Sequence, residues 1–316
     1  MLNLVKGWKE KIGWYWDFGI YLFLSSHQQK MSNILKILRF DRAKTPIHIF
    51  EQLRLEEALF RTDTNNWIVI NDGSLASPSP SVVLGISGKP KVMCNIQRLE
   101  QENVPLFRRF TGGGTVVVGK GTTFISLIGN KKMLDPKNTN GPRELMKWSG
   151  EWYSNALEKC GVDVTSQNSR HAFALRENDY VLGNRKFAGN AQGLSRDRFV
   201  HHTSILWDFS KKDMQLLQNP SKQPEYRQKR EHDAFLIPLK ETMQTQDLLP
   251  NALIAQMMQY GFEIDEIDPD DSFINEILSR KHHKSNKFVN IENEKLNADD
   301  GHDGPSLPYN IQKRWQ

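Results

Sequence analysis

The chain has 316 residues, 38% of them hydrophobic and 10% aromatic, enough for one large domain with appendages or for two smaller domains. Its 42 basic and 37 acidic residues give a mixed surface with a net charge of +5, which does not indicate a nucleic-acid-binding stripe. With only two cysteines, Cys94 and Cys160, the chain cannot build a disulfide framework or a C-x-x-C metal site, which favours a reducing, intracellular setting. The apolar stretch at 18–26 is too short to span a bilayer.

Residues 1–45 are predicted to be an N-terminal extension. The first 30 residues are basic and aromatic and precede a second methionine, Met31, as in some targeting segments. Glu10 and Asp17 depart from the acid-poor composition of such segments, so an ordinary extension is an equally good interpretation. Mitochondrial and cytoplasmic locations both stay open.

Residues 46–262 alternate helical and strand patterns and are predicted to form the main folded domain. Two helices are predicted, one over 46–61 with Leu55, Ala58 and Leu59 at helical spacing and one over 143–161 closed by Gly161. The predicted strands cover 66–72, 81–87, 116–128 (one long strand or a pair), 179–194 (a hairpin through Gly183-Asn184) and 198–209. Recurrent hairpins among a few helices predict an α+β fold.

Residues 263–316 are predicted to form a polar, largely disordered C-terminal tail. One short helix is expected within "FEIDEIDPDDSFINEILSRKHH", and the sequence after it has few residues able to bury apolar surface.

The stretch "RRFTGGGTVVVGKGTTFISL", residues 108–127, nearly spells a phosphate-binding P-loop from Gly114 to Lys120. Gly121 lacks the hydroxyl that a magnesium ion needs, and the valines between the glycines favour a strand over a phosphate-binding loop. The P-loop interpretation therefore fails. Three glycines beside two arginines could instead bring the backbone close to an anionic ligand, although a tight turn with solvated arginines is the simpler interpretation.

Two further segments carry candidate residues. Lys186 follows the hairpin turn and precedes the small residues 188–191, so a large ligand could reach its ammonium group; alone, it would be taken for a surface lysine. His201 and His202 are adjacent on a strand and point to opposite faces, so they cannot share a metal ion. A serine hydrolase triad is rejected because the chain has no G-x-S-x-G elbow.

Together and in this order, the arginine pair before Gly-Gly-Gly, the Asn-Asp pair before the lysine hairpin with Gly-Asn-Ala-Gln, and the His-His strand resemble the lipoate–protein ligase family. The resemblance covers about residues 46–240 and is greatest to eukaryotic members of the lipoate–protein ligase A branch. It implies the catalytic domain shared with biotin ligases and octanoyltransferases, with a central mixed β-sheet flanked by helices and the ligand lying across the sheet.

The same resemblance implies the site. Lys186 would be the catalytic residue, in contact with the acyl carbonyl and the α-phosphate, while Arg109 would face the nucleotide. Asn178, Gln192 and His201 also match family positions. The implied ligand-binding residues are Arg109, Gly112, Gly113, Gly114, Thr115, Val116, Val117, Asp179, Gly189, Asn190, Ala191 and His202.

The resemblance further implies lipoate as substrate, with ATP and Mg²⁺ or preformed lipoyl-AMP, and no protein-bound metal. The implied partners are apo lipoyl domains of 2-oxoacid dehydrogenase subunits or the glycine cleavage H protein, with no nucleic acid or membrane. Val118 and Gly119 stand where the family usually has His-Asp. We therefore expect faster transfer from preformed lipoyl-adenylate than adenylate formation from ATP, and a separate activating partner is compatible with this.

Three alternatives are compared with the ligase interpretation. An octanoyltransferase needs a cysteine nucleophile, whereas Cys94 and Cys160 are both interpreted as structural. A biotin ligase should have a Gly-Arg-Gly-Arg loop, which "RRFTGGG" is not. A catalytically inactive lipoyl-domain-binding protein is favoured by the missing His-Asp and disfavoured by Lys186 and the three glycines.

Overall fold

The computed structural model describes residues 33–41, 45–72, 80–166, 169–219 and 223–291. The proposed targeting segment lies outside these ranges. No helix within them is long and apolar enough to cross a membrane. The helices are α1 (Ile49–Thr62), α2 (Pro90–Met93), α3 (Ile96–Gln101), α4 (Pro142–Lys159), α5 (Lys211–Met214), α6 (His232–Phe235), α7 (Leu248–Gln259) and α8 (Asp271–Ser279). Short 3-10 turns lie at Lys131–Met133, Pro136–Asn138, Glu225–Arg227 and Leu239–Glu241.

The described strands form two mixed sheets. The larger sheet contains, in spatial order, β11 (Glu263–Ile267), β1 (Ile34–Phe40), β2 (Asn66–Asn71), β6 (Thr122–Asn130), β10 (Arg198–Leu206), β9 (Arg185–Leu194), β8 (Asp179–Leu182) and β7 (Phe173–Arg176). The smaller one contains β12 (Lys287–Phe288), β4 (Leu106–Arg108), β3 (Ser81–Leu84) and β5 (Val116–Val118). Strand β1 is parallel to β11 and β2, and β3 is parallel to β4; the other pairs are antiparallel.

Both faces of the larger sheet are covered by helices. Successive residues of a strand point to opposite faces, and those of β2 enter different cores. Ile68 and Ile70 pack in a cluster with Trp152 of α4, whereas Val69 packs in a cluster with Leu59 of α1. The predicted class, α+β with a mixed sheet flanked by helices, is confirmed.

The valine-rich run at 116–128 forms two strands, but they do not pair with each other. Strand β5 belongs to the smaller sheet and β6 to the larger one. Gly121 lies between them, so close to the backbone of Asp208 that a Cβ there would be 2.3 Å from the Asp208 carbonyl oxygen. Only glycine permits this close approach, which lets the chain pass from one sheet to the other.

The folded unit is wider than the expected 46–262. Strand β1 lies inside the expected N-terminal extension. Strands β11 and β12 lie inside the expected disordered tail, on either side of α8, which is the one short helix expected there. Strand β11 pairs in parallel with β1, Ile34 opposite Glu263. The expectation of a non-globular segment is therefore wrong for residues 263–291. The side chains of β11 are mostly exposed, so composition did not reveal its backbone pairing.

Candidate functional site

A cavity of about 400 Å³ opens between the smaller sheet, strands β8–β10 and residues 224–236. It brings together the predicted catalytic residue and every predicted ligand-binding residue except Gly112, whereas Gln192 and His201 do not line it. The predicted residues that line it are Arg109, Gly113, Gly114, Thr115, Val116, Val117, Asp179, Lys186, Gly189, Asn190, Ala191 and His202. Asn178 lines it as well. One part of the wall is apolar and includes Leu53, Val83, Phe124, Leu206 and Leu236.

The glycine loop, residues 109–115, depends on glycine at one position above all. Gly113 has φ +101°, a conformation that residues with a side chain rarely adopt. A Cβ on it would lie 2.8 Å from Nη2 of Arg109 and 3.2 Å from the carbonyl oxygen of Asn190. Gly112 and Gly114 have no atom within 4 Å of such a Cβ.

Arg109 holds the loop from within. Its Nε donates to Thr111 Oγ1 (3.1 Å), and its Nη2 donates to the carbonyl oxygens of Gly112 (2.7 Å) and Gly114 (2.9 Å). Burial lowers the pKa of Arg109 to about 10, so the guanidinium stays charged at neutral pH. These bonds give Arg109 a structural task in the loop in addition to the nucleotide contact that the resemblance implies.

Lys186 presents its ammonium group to the cavity. Nζ lies 2.7 Å from Oδ1 of Asp179, the residue at the start of the neighbouring strand of the hairpin. A Cβ on Gly189 would be 3.2 Å from the same nitrogen, so glycine leaves the room that the lysine occupies. Asp179 also accepts a hydrogen bond from the hydroxyl of Tyr226 (2.7 Å) at Oδ2. The lysine is thereby fixed at the cavity wall while a quarter of its side chain, 26%, stays accessible.

The small-residue part of β9 is fixed by its neighbours. Asn190 accepts from the hydroxyl of Thr203 (2.8 Å) and donates to the carbonyl oxygen of Asn178 (3.1 Å). The hydroxyl of Ser204 donates to the carbonyl oxygen of Gly189 (3.2 Å). These bonds hold the strand rigidly along the cavity.

The two histidines of β10 point to opposite faces, as predicted. His202 lines the cavity and contacts Glu56 and Thr111. His201 lies on the other face, with Nδ1 3.0 Å from Nε2 of Gln192. Burial lowers the pKa of His201 to about 3, so this ring is neutral at neutral pH.

Residues 224–236, the cap segment, were not predicted from the sequence to belong to the site. This segment looks like a charged surface stretch, yet Arg227, His232 and Phe235 line the cavity. Arg227 is buried with its guanidinium carbon 4.8 Å from the ring centre of Phe235. Burial, followed by the charge of Arg227, lowers the pKa of His232 to about 4. Only the alternation of Tyr and Phe with arginines could have drawn attention to the segment.

The cap segment is attached to the hairpin that carries Lys186 and to the turn that precedes this hairpin. The amide of Glu225 donates to Glu177 Oε1, and Arg230 Nη2 donates to the carbonyl oxygen of Asn184; both bonds are 2.8 Å long. The amide of Ile237, just after the segment, donates to the carbonyl oxygen of Lys186 (3.0 Å). The cavity thus combines fixed cationic groups with an apolar wall, an arrangement that suits a ligand with an anionic head and an apolar tail.

The described residues provide neither a cysteine nucleophile in the cavity nor a cluster of metal-binding side chains. Neither Cys94 nor Cys160 lines the cavity, and burial raises the pKa of Cys94 to about 12, so its thiol stays protonated. Across the described ranges, no three His, Cys, Asp or Glu side chains are grouped so as to hold a metal ion. Anion binding by Lys186 and Arg227 is the chemistry that the charged groups of the cavity support.

Comparison with known proteins gives one family. A family model described as the lipoyl protein ligase A/B catalytic domain matches residues 48–261. A protein named inactive lipoate–protein ligase 2, from Plasmodium falciparum (isolate 3D7), is 31% identical over an alignment of 275 residues, and the match covers 74% of this chain and 70% of that protein.

Two solved structures share the fold. A lipoate-protein ligase A bound with ATP has a TM-score of 0.58 at 18% identity, covering 79% of this chain and 96% of the other. A bi-partite lipoate protein ligase from Thermoplasma acidophilum, described with its E2 lipoyl domain, has a TM-score of 0.57 at 18% identity, covering 79% and 93%. They confirm the expected type of catalytic-domain fold.

Proposed function

Because the chain belongs to the lipoyl protein ligase A/B catalytic-domain family, we propose that it attaches lipoate to a lysine of apo lipoyl domains through a lipoyl-adenylate. The cavity is the observation that carries this proposal. Lys186, residues of the glycine loop and a set of apolar side chains line this one cavity. Lipoate has a carboxylate head and an apolar dithiolane tail, which match these two parts of the cavity.

The transfer step follows from this placement. The amine of the acceptor lysine attacks the acyl carbonyl of lipoyl-adenylate; the new C–N bond forms as the C–O bond to AMP breaks. AMP leaves with the electron pair of that bond, and the amine nitrogen loses a proton to the solvent. Lys186 and Arg227 stabilise the negative charge of the departing phosphate, since both line the cavity as cations.

The cavity is less well equipped for making the adenylate from ATP. Val118, at the first position of the missing His-Asp, is buried in a hydrophobic cluster with Val83 and Phe124 and does not line the cavity. Gly119, at the second position, does not line it either. Mg²⁺ would enter as the ATP complex, and Asp179 is a carboxylate of the cavity that would hold it. These features support transfer from preformed lipoyl-adenylate as the faster reaction.

The test compares two donors. Purified protein and an apo lipoyl domain are incubated with lipoate plus Mg-ATP or with synthetic lipoyl-adenylate, and lipoylation is followed by mass spectrometry. We expect product from both donors and a higher rate from the adenylate. Equal rates would show a complete ligase, and product from neither donor would refute the proposal.

An inactive lipoyl-domain-binding protein is the second candidate function. Its support is the name of the Plasmodium relative and the ion pair that occupies the Lys186 ammonium. The donor experiment separates the two, because such a protein binds the apo lipoyl domain without modifying it. An octanoyltransferase using a cysteine nucleophile is not supported, since neither cysteine lines the cavity.

A further inference from the structure

Glu56 of α1 is a fully buried carboxylate that does not line the cavity and has no part in the chemistry above. Its Oε1 accepts hydrogen bonds from Gln52 Nε2 and Ser126 Oγ, each 2.7 Å long. Its Oε2 lies 2.7 Å from Nδ1 of His202, which is also buried. A buried carboxylate is unfavourable unless its oxygens are hydrogen-bonded, so these contacts hold Glu56 in one position.

The hydrogen bonds continue from His202 towards the cavity. Nε2 of His202 lies 2.6 Å from Oγ1 of Thr111, and this oxygen accepts from Nε of Arg109. With a neutral imidazole, each group donates a hydrogen bond to the next one: Arg109 to Thr111, Thr111 to His202, and His202 to Glu56. The chain of contacts therefore runs in one direction, from a cation to a carboxylate.

The glycine loop lies at the cationic end of this chain. Nη2 of Arg109 binds the carbonyl oxygens on both sides of Gly113, which has the positive φ. The negative charge of Glu56 opposes the effect of burial on the pKa of Arg109 and so favours its charged form. A continuous path of hydrogen bonds thus connects Glu56 to the backbone that lines the cavity.

We propose that Glu56 is a positioning residue that fixes the glycine loop, through His202, Thr111 and Arg109, before the ligand binds. The identity of the ligand, lipoyl-adenylate, rests on the proposed function; the shape of the loop is a property of the free protein. A loop that is already in its bound shape loses less conformational entropy on binding, which strengthens affinity.

The first experiment measures hydrogen exchange in the free protein. The amide of Arg109 donates to the Leu84 carbonyl and that of Ile86 to the Thr111 carbonyl, so both report on the loop. Glu56→Gln and Thr111→Val interrupt the chain at different links, and we expect at least about tenfold faster exchange at both amides in each variant. Ser126→Ala is the matched control, because it removes one partner of the same carboxylate without breaking the path to the loop.

Unchanged exchange in Glu56→Gln or Thr111→Val, or the same acceleration in Ser126→Ala, would overturn the proposal. If Glu56→Gln does not fold, the comparison of Thr111→Val with Ser126→Ala tests the proposal by itself.

The second experiment measures binding of synthetic lipoyl-adenylate by calorimetry. We expect Glu56→Gln and Thr111→Val each to weaken binding about tenfold or more. The double variant should bind no more weakly than the single variant with the lower affinity, because both substitutions interrupt the same path. Losses that multiply would show independent effects and contradict the proposal. If the wild-type protein does not bind lipoyl-adenylate, the proposed function fails, and the exchange experiment still decides the role of Glu56.

Discussion

At the scale of single residues, Lys186 has the greatest consequence for the proposed chemistry. We expect Lys186→Ala to abolish transfer from lipoyl-adenylate to an apo lipoyl domain, because losing a charge-stabilising group at a protected site costs about 3 kcal/mol or more. The mutation removes an ammonium group whose position is set by Asp179 and Gly189. Circular dichroism should show an intact fold.

Lys240→Ala is the control for this prediction. Lys240 pairs with Asp208 at a half-exposed site, 2.5 Å away, and does not line the cavity. Near-normal transfer by a folded Lys186→Ala variant would exclude Lys186 from the mechanism.

Gly113 is the position in the glycine loop where a side chain should be least tolerated. Gly113→Val introduces a branched side chain at φ +101° and within 3 Å of Arg109, so we expect binding of lipoyl-adenylate to be lost. The comparison is Gly112→Val, where nothing lies within 4 Å of the new Cβ and the loss should be smaller. Calorimetry gives both affinities, and equal affinities of Gly113→Val and wild type would mean that the glycine serves only the turn.

His201 should make folding stability sensitive to acid. Its pKa is lowered to about 3 in the folded protein, against about 6.5 for an unperturbed histidine, because its site is buried. Between these values the unfolded chain binds a proton that the folded protein does not. The stabilisation is therefore complete above pH 6.5 and decreases as the pH falls towards 3, by up to about 1.4 kcal/mol per pH unit.

His201→Gln cannot titrate and isolates this contribution. Urea unfolding at pH 7 and pH 5 gives the change in unfolding free energy for each protein. We expect the change to be smaller in the variant by roughly 2 kcal/mol. His48 and His232, whose pKa values are both lowered to about 4, contribute equally in both proteins and cancel in the comparison. The same change in both proteins would contradict the prediction.

At the scale of elements, the segment after α8 is anchored to the rest of the fold by Asn286. Its Nδ2 donates to the Leu53 carbonyl (2.9 Å) and to Glu57 Oε2 (2.8 Å), and its Oδ1 accepts from the amide of Phe110 (2.9 Å). We expect Asn286→Ala to lower the unfolding free energy by about 1–3 kcal/mol, because buried donors and acceptors lose their partner. Thermal and urea unfolding measure this loss.

The neighbouring exposed residue provides the control. Lys284→Ala should change the stability by less than about 0.5 kcal/mol. A wild-type stability for Asn286→Ala would mean that this segment does not contribute to folding, as its composition alone suggests.

At the scale of the whole molecule, the N-terminal sequence bears on where in the cell the protein acts. The basic, aromatic residues 1–30 motivate the hypothesis of mitochondrial targeting. We expect a tagged full-length chain to co-localise with a mitochondrial marker and a chain starting at Met31 to remain in the cytoplasm. Microscopy and cell fractionation measure this difference. Identical cytosolic distributions would refute the targeting hypothesis, and the lipoyl domains available in the observed compartment would be the acceptors to test.

The sequence by itself determined the elements whose signals are local. Helix α1 follows from helical spacing, the β8–β9 hairpin from Gly183-Asn184, and the opposite orientations of His201 and His202 from the geometry of one strand. Each of these rests on residues a few positions apart, where propensity and periodicity act directly. The order of three such segments was also enough to indicate the family and 13 of the 29 described residues that line the cavity.

Only the tertiary structure decided which distant groups become neighbours. Glu56 is 146 positions from His202, and Asp179 is 47 positions from Tyr226, yet each pair is in hydrogen-bond contact. Strand β11 becomes visible only through its backbone pairing with β1, at the other end of the described chain. Burial and long-range hydrogen bonding depend on packing, which local composition does not encode. For that reason the residues that position the site had to be found in the fold.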